Sequence, residues 1–247
     1  MTKSGSKVMT VASTVTHMPA PEGEKGGGMA NAIVGTLELI GLASLIGVPI
    51  GIGSGLYLAA HRGSRFASAA RFGADVMMGV PSIVVGIFAY AVVVRPTGGF
   101  STLAGAVALA VIMIPLVTRT TEEMLLLVPH ELREAALALG VPGWRTTLWV
   151  VARTAASGIA TGAILAIARI AGETAPLLFT AFGNRFWSTS LNSPIASLTV
   201  QVYTYAISPF PDWQRQAWAG ALVLTTIVLA LELGVRWMTR GSARVAR

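Results

Sequence analysis

The sequence contains no cysteine, so neither a disulfide framework nor a thiolate metal site can be built from it. Charge is scarce too. Asp, Glu, Lys and Arg make up 12% of the 247 residues, against about 25% in soluble domains. Lysine is confined to Lys3, Lys7 and Lys25, and none of them completes a glycine-rich phosphate loop. If ATP drives this protein, another subunit must hydrolyse it. The first thirty residues lack the apolar core of a signal peptide. His17, His61 and His130 stand in separate polar segments without ligand spacing, and read as solvated loop residues.

What is abundant is apolar. Hydrophobic residues account for 53% of the chain and the mean hydropathy is +0.67. With so little charge, this composition describes an integral membrane protein. A net charge of +7 invites a nucleic-acid reading, but the basic residues sit in short loops between apolar runs. That is the positive-inside pattern, with no basic helix or aromatic-basic platform.

Five segments are long enough to cross about 30 Å of hydrocarbon at 1.5 Å per residue. They fall at residues 31–60, 72–94, 102–117, 158–180 and 217–237, the third being the shortest and open to extension into its flanks. The expected fold is all-α, a polytopic transmembrane helix bundle, because inside lipid each backbone polar group must be satisfied within its own segment. Residues 1–30, rich in Ser, Thr, Gly and Pro, are expected as a flexible polar tail. Residues 31–240 form the transmembrane domain with a loop at 119–153, and 241–247 a basic tail. Eleven arginines, among them Arg62, Arg119, Arg133 and Arg240, gather on one side and six basic residues on the other. The loop around Arg133 and the C-terminus are therefore expected to be cytoplasmic. Five spans then leave Lys3 and Lys7 outside, a poor fit that an additional first span would resolve.

Small residues recur at helix-packing intervals. Gly47, Gly51 and Gly55 share one face of the first span, and Gly158 and Gly162 one face of the fourth. This spacing lets helix backbones approach closely. Pro49, Pro81 and Pro176 fall within expected spans, where they kink helices unless neighbours satisfy the freed carbonyls.

Against this apolar background, Arg169 and Glu173 stand out. They are the only charges between residues 159 and 179. An ionised side chain near the bilayer centre costs roughly 2.5–3.5 kcal/mol on insertion scales, and such residues face a bundle interior or a watery path. Guanidinium stays charged in any surroundings and offers planar, bidentate donors to oxyanions. One reading makes Arg169 a transient anion contact, moderated by Glu173, with Arg119 further along at the inner end of the third span. The other makes Arg169 and Glu173 a mutually neutralising pair. Arg before Glu at i,i+4 is the less favourable order, which weighs against a purely structural pair. For Glu173 a counter-ion role suffices, and for Arg119 the positive-inside placement suffices. Asp75, near the start of the second span, is expected to cap that helix or to pair with an arginine.

Between the third and fourth spans lies Glu134-Ala135-Ala136 followed by Gly140. Pro129 suits a first helical turn and Gly140 a helix end. Leu132, Ala135, Ala136 and Leu139 would share one small, alanine-rich face, better suited to a shallow protein groove than to lipid. The Glu-Ala-Ala…Gly spacing resembles the EAA loop of ABC-type import permeases. Arg153 and Ser157 stand where many such permeases carry prolines. Further phrases narrow the resemblance: Asn31-Ala-Ile-Val-Gly-Thr36, Gly79-Val-Pro-Ser-Ile-Val84, Arg119-Thr-Thr-Glu122, Ala168-Arg-Ile-Ala-Gly-Glu-Thr-Ala-Pro-Leu-Leu-Phe179 and Ser208-Pro-Phe-Pro-Asp-Trp213. Over residues 17–237 the chain is similar to the permease subunits of phosphate-import ABC transporters.

That resemblance implies a passive transport subunit with no cofactor and no chemistry of its own. It implies four kinds of partner: a homologous second permease, an ATP-binding subunit dimer, an extracytoplasmic phosphate-binding protein and the membrane lipid. It implies that Glu134, Ala135, Ala136 and Gly140 couple to the ATPase, that inorganic phosphate is the cargo, and that the usual first span is missing from this sequence. Physics alone leaves other oxyanions open (sulfate, molybdate, phosphonate), as well as a proton-coupled carrier using Glu173. An intramembrane enzyme finds no support, since no nucleophile–base pair or metal-ligand cluster accompanies the carboxylates. The outer segment 182–216 carries Phe186, Trp187, Tyr203, Tyr205, Phe210 and Trp213. It reads either as a partly embedded re-entrant segment or as an interfacial aromatic anchor.

Overall fold

Helices long enough to satisfy their own backbones dominate the computed structural model, which describes residues 11–21, 24, 26–188 and 190–242. In chain order they are α1 (Val11–Thr16), α2 (Ala30–Ala60), α3 (Arg65–Gly79), α4 (Ser82–Thr97) and α5 (Thr102–Leu126). There follow α6 (His130–Ala138), α7 (Gly143–Thr154), α8 (Ala156–Ala171), α9 (Ala175–Thr180), α10 (Leu198–Ala206) and α11 (Pro211–Ser242). Among the described residues, three helices are long and apolar enough to cross a membrane, or five if each bent pair is one span.

The glycine notches set the central packing. A Cβ on Gly47 would fall 2.9 Å from Met113 Sδ, one on Gly51 2.6 Å from Val117 Cβ, and one on Gly55 2.6 Å from Thr121 Cβ. Two four-residue repeats, one on α2 and one on α5, therefore interlock along their length. Gly158 and Gly162 likewise seat α8 against Met124 and Thr120 of α5. Around this seam a continuous core forms from Leu39, Ala43, Leu109, Met113, Ala166 and Ile170. α5 is thus the central post of the bundle, and α11 lies at its edge, with Trp218, Leu222 and Leu233 exposed.

Two expected spans need correction, but the third does extend into its flank, since α5 runs 25 residues to Leu126. Its polar continuation, Thr118, Thr121 and Glu122, stays buried and keeps the helix packed where hydropathy alone would end it. The second span is broken: α3 and α4 meet at 104°. Pro81 opens α4, and the residue before a proline is pushed out of the helical region, as Val80 is at φ −71°, ψ 131°. The fourth span does not run through residues 158–180. It pairs α7 with α8, bent by 71°, and α8 stops at Ala171. Pro176 has no N–H to donate and its ring would clash with the carbonyl four residues back, so the chain restarts as α9.

Part of the expected tail is folded. Met29 N–H donates to Thr14 O at 2.7 Å and Gly28 N–H to Met18 O at 2.9 Å, so the segment from α1 closes over the start of α2. Gln216 of α11 donates from Nε2 to Gly26 O at 2.7 Å. Lys3, Lys7 and Lys25, and residues 243–247 of the basic tail, lie outside the described residues.

Candidate functional site

Arg169 sits in the last turn of α8, and Glu173 lies beyond its end, between α8 and α9. The two are therefore not i,i+4 neighbours on one helix, and no ion pair joins them among the described residues. α8 buries Ile159, Ala163, Ala166 and Ile170 against the bundle. Ser157, Thr161, Leu165 and Arg169, four residues apart, run along its other face, and Arg169 is exposed. Glu173 is half-buried, and its backbone carbonyl accepts from Thr199 Oγ1 at 3.0 Å, tying α10 to the break.

Arg119 is engaged. It lies inside α5, seven residues before the helix end, not at an inner terminus. Its Nη1 donates to Glu122 Oε2 at 2.5 Å, Nη2 lies 3.9 Å from Glu123 Oε1, and Nε lies 2.8 Å from Asp75 Oδ1. The Asp75 contact is close but poorly aligned, so it acts as an ion pair rather than a hydrogen bond. From α3, Arg71 Nε takes the other oxygen of Glu122 at 2.5 Å, and Arg71 Nη2 donates to Leu58 O at 3.1 Å. Glu122 is 1% exposed. The cluster fastens α3 and the end of α2 to α5, and Asp75 pairs with an arginine, the second of its two expected roles. Sequence reasoning quoted Glu122 but gave it no role. Its spacing from Thr118, Thr121 and Leu125, all on one buried helix face, was the available signal.

The loop after α5 forms a short helix with a defined end. Gly140 has φ +78°, its N–H bonds Leu137 O, and Val141 N–H bonds Ala136 O. This is the paired-bond helix stop that a glycine in the left-handed region permits. Glu134 and Ala135 are exposed, but Ala136 is buried against its own chain. The face expected from Leu132, Ala135, Ala136 and Leu139 is therefore split: Ala136 anchors α6 while Leu132 and Leu139 stay exposed, the latter at 84%. A groove of about 460 Å³ separates α6 from α7 and the end of α2, lined by Tyr57, His61, Arg133, Leu137 and Trp144.

At the opposite end, the outer segment is only in part an aromatic fringe. Phe186 and Trp187 are exposed, but Tyr205 and Trp213 are buried and stacked at 4.5 Å, within a satellite core with Met29, Ala32 and Leu198. Leu198 N–H donates to Thr36 Oγ1 at 2.7 Å and Asn31 Nδ2 to Asn184 O at 2.7 Å, so this segment is built onto α2. Phe182 holds φ +62°, an unusual conformation for a bulky residue, with its ring stacked on Phe100 at 4.9 Å.

Broken helices around a central post, with several long enough to cross a membrane, make this a helical membrane-protein bundle by length and composition. A family profile described as "Binding-protein-dependent transport system inner membrane component" matches residues 47–244. The chain belongs to that family, and so is a multi-pass inner membrane protein and a transport component rather than an enzyme. Among curated relatives, the phosphate transport system permease protein PstA of Yersinia pestis is 52% identical over 222 residues, covering 90% of this chain and 75% of its own. The probable PstA of Methanocaldococcus jannaschii is 38% identical over 220 residues, covering 89% and 78%. A solved structure of the MetNI methionine ABC transporter superposes with a TM-score of 0.69 at 18% identity, covering 86% of this chain and 96% of that one. That likeness shows the fold, an ABC permease bundle.

Proposed function

We propose that this chain is the transmembrane permease subunit of an ATP-driven phosphate importer. The observation that carries this reading is Arg169, a fixed cation on the outward face of α8 with no carboxylate partner among the described residues, in a chain half identical to PstA proteins. A cation left without a counter-ion in an apolar segment is costly, so it belongs where an anion passes. In this reading Arg169 is the main transient contact for phosphate. Glu173, beyond the helix end, keeps that contact weak enough to release, as conduction requires. Arg119, further in, is the second arginine of this proposed path, with its charge balanced by Asp75, Glu122 and Glu123.

The outward placement of Arg169 also supports a pathway completed by a second, homologous permease subunit. Coupling runs through α6, with Glu134 and Ala135 presented to an ATP-binding subunit, Ala136 holding the helix to the bundle, and Gly140 fixing its end. The loop and the C-terminus then lie on the cytoplasmic side, where the arginine-rich loops cluster. An extracytoplasmic phosphate-binding protein delivers the cargo.

The test is competitive uptake by the assembled transporter. Labelled phosphate uptake that needs ATP, survives excess sulfate and is lost when the ATPase subunit is inactivated is expected. Uptake that survives ATPase loss and collapses with the proton gradient would point to a secondary carrier instead.

A further inference from the structure

The groove of about 460 Å³ beside the loop helix opens at the end of an apolar run. Residues 39–60 of α2, 22 in all, carry no charge. At 1.5 Å per residue they cover about 33 Å, one hydrocarbon thickness. Tyr57 and His61, which line the groove, therefore fall at the inner edge of the bilayer. α7 forms another wall and turns away from α8 by 71°. Its two tryptophans are exposed and each carries an arginine: Arg145 Cζ is 5.1 Å from the Trp144 ring centre, and Arg153 Cζ 4.5 Å from that of Trp149. Exposed tryptophan beside arginine at the end of a span is the composition of a helix lying in the headgroup layer.

Arg133 is the informative residue. It lines the groove half-buried, and no carboxylate pairs with it among the described residues. The lining holds no acidic side chain. Arg62 and Arg145, next in sequence to the lining residues His61 and Trp144, are exposed and likewise without a carboxylate partner among the described residues. His61 Nδ1 lies 3.0 Å from Tyr57 O and its ring stacks on Tyr57 at 4.4 Å, which leaves Nε2 unengaged. Much of the remaining lining is apolar, with Leu56, Leu137 and Leu148. A free inorganic ion would shed water against those leucines and gain nothing from them. An amphiphile with one anionic end uses both kinds of surface.

We propose that the groove seats an anionic phospholipid of the inner leaflet, with its phosphate on Arg133 and its glycerol and upper chains against Leu137, Leu148 and Trp144. Basic pockets between helices at the cytoplasmic face suit such headgroups, and a guanidinium can take two phosphate oxygens side by side. The lipid bridges α6 to α7 and the end of α2. α6 is thinly attached, with Ala136 its one buried residue. A lipid filling the groove therefore stiffens the helix that the ATP-binding subunit engages. The site rests on the cytoplasmic placement of this loop in the import reading, and is independent of which anion is carried.

The experiment compares association of spin-labelled phosphatidylglycerol and phosphatidylcholine with the assembled transporter in phosphatidylcholine vesicles. ATP-driven phosphate uptake is followed alongside, at increasing phosphatidylglycerol content. The parent is expected to prefer phosphatidylglycerol by at least about fivefold, the factor for one arginine at a lipid surface. Arg133→Gln should lower that preference by about fivefold, and its uptake should cease to respond to phosphatidylglycerol, whereas Arg133→Lys keeps both. One arm needs no variant: excess inorganic phosphate should leave the lipid preference of the parent unchanged, and displacement would reveal a free-anion site and overturn the lipid. An undiminished preference in Arg133→Gln, with uptake intact in the parent, overturns the site and leaves the import reading standing. Lipid preference that emerges only after the ATP-binding subunit is stripped away would assign the groove to that subunit and also overturn it. Failure of the parent to take up phosphate in any lipid would sink the import reading, while the spin-label comparison still decides the lipid site.

Discussion

Arg71 and Glu122, 51 residues apart in sequence, meet at 2.5 Å, and the carboxylate they share with Arg119 is 1% exposed. One acidic group thus holds two guanidiniums from two helices. Removing one partner of a buried ion pair is far more damaging than removing both, because the remaining charge is left without compensation.

Glu122→Ala should therefore destabilise the protein by about 3–5 kcal/mol, seen as a lower unfolding temperature in detergent. The Arg71→Ala, Glu122→Ala double variant should lose less than the sum of the single losses. Additive losses would show that the two side chains do not act as a unit.

The seam between α2 and α5 can be probed with two glycines two residues apart. A Cβ at Gly51 would sit 2.6 Å from Val117 Cβ, whereas one at Gly53 would meet nothing within 4 Å. Gly51→Ala should cost about 1–3 kcal/mol through overpacking. Gly53→Ala should be neutral or stabilising by up to about 1 kcal/mol, from helix propensity alone. Thermal unfolding of the two variants side by side reads this contrast.

Gly140 at φ +78° ends the loop helix. Gly140→Val places a β-branched residue in the left-handed region, at a cost of roughly 1–2 kcal/mol or more, and should abolish uptake while the protein remains in the membrane. Gly140→Asn, which tolerates that conformation, should retain most activity. Equal activity in both variants would separate the helix end from coupling.

Reading the sequence recovered what depends on composition and short-range spacing. The helical bundle, the glycine notches at Gly47, Gly51 and Gly55, and the glycine stop at Gly140 are all local signals. Pro81 and Pro176 mark the places of two breaks, but not that the helices stop there rather than bend. Hydropathy runs smoothly through residues 158–180 although Pro176 forbids a continuous helix, and through 72–94 although Pro81 turns the chain by 104°. Arg169 and Glu173 therefore looked like one helical pair. The Arg71–Glu122–Arg119 cluster depends on contacts across two helices, which spacing along one chain does not reveal. The Tyr205–Trp213 stack falls in a segment whose sequence reads either as re-entrant or as an interfacial anchor, because aromatic residues suit a membrane interface and a buried core equally well.

The most direct measurement is ATP-driven phosphate uptake by assembled transporters carrying Arg169→Ala or Arg169→Lys, with membrane levels of each variant matched. If the exposed guanidinium meets the passing anion, the alanine variant should lose uptake by at least about tenfold, the loss expected for a charge-assisted hydrogen bond. The lysine variant should keep a fraction of it, retaining the charge without the planar fork. Uptake at the parent rate in both variants would contradict a pathway role for Arg169.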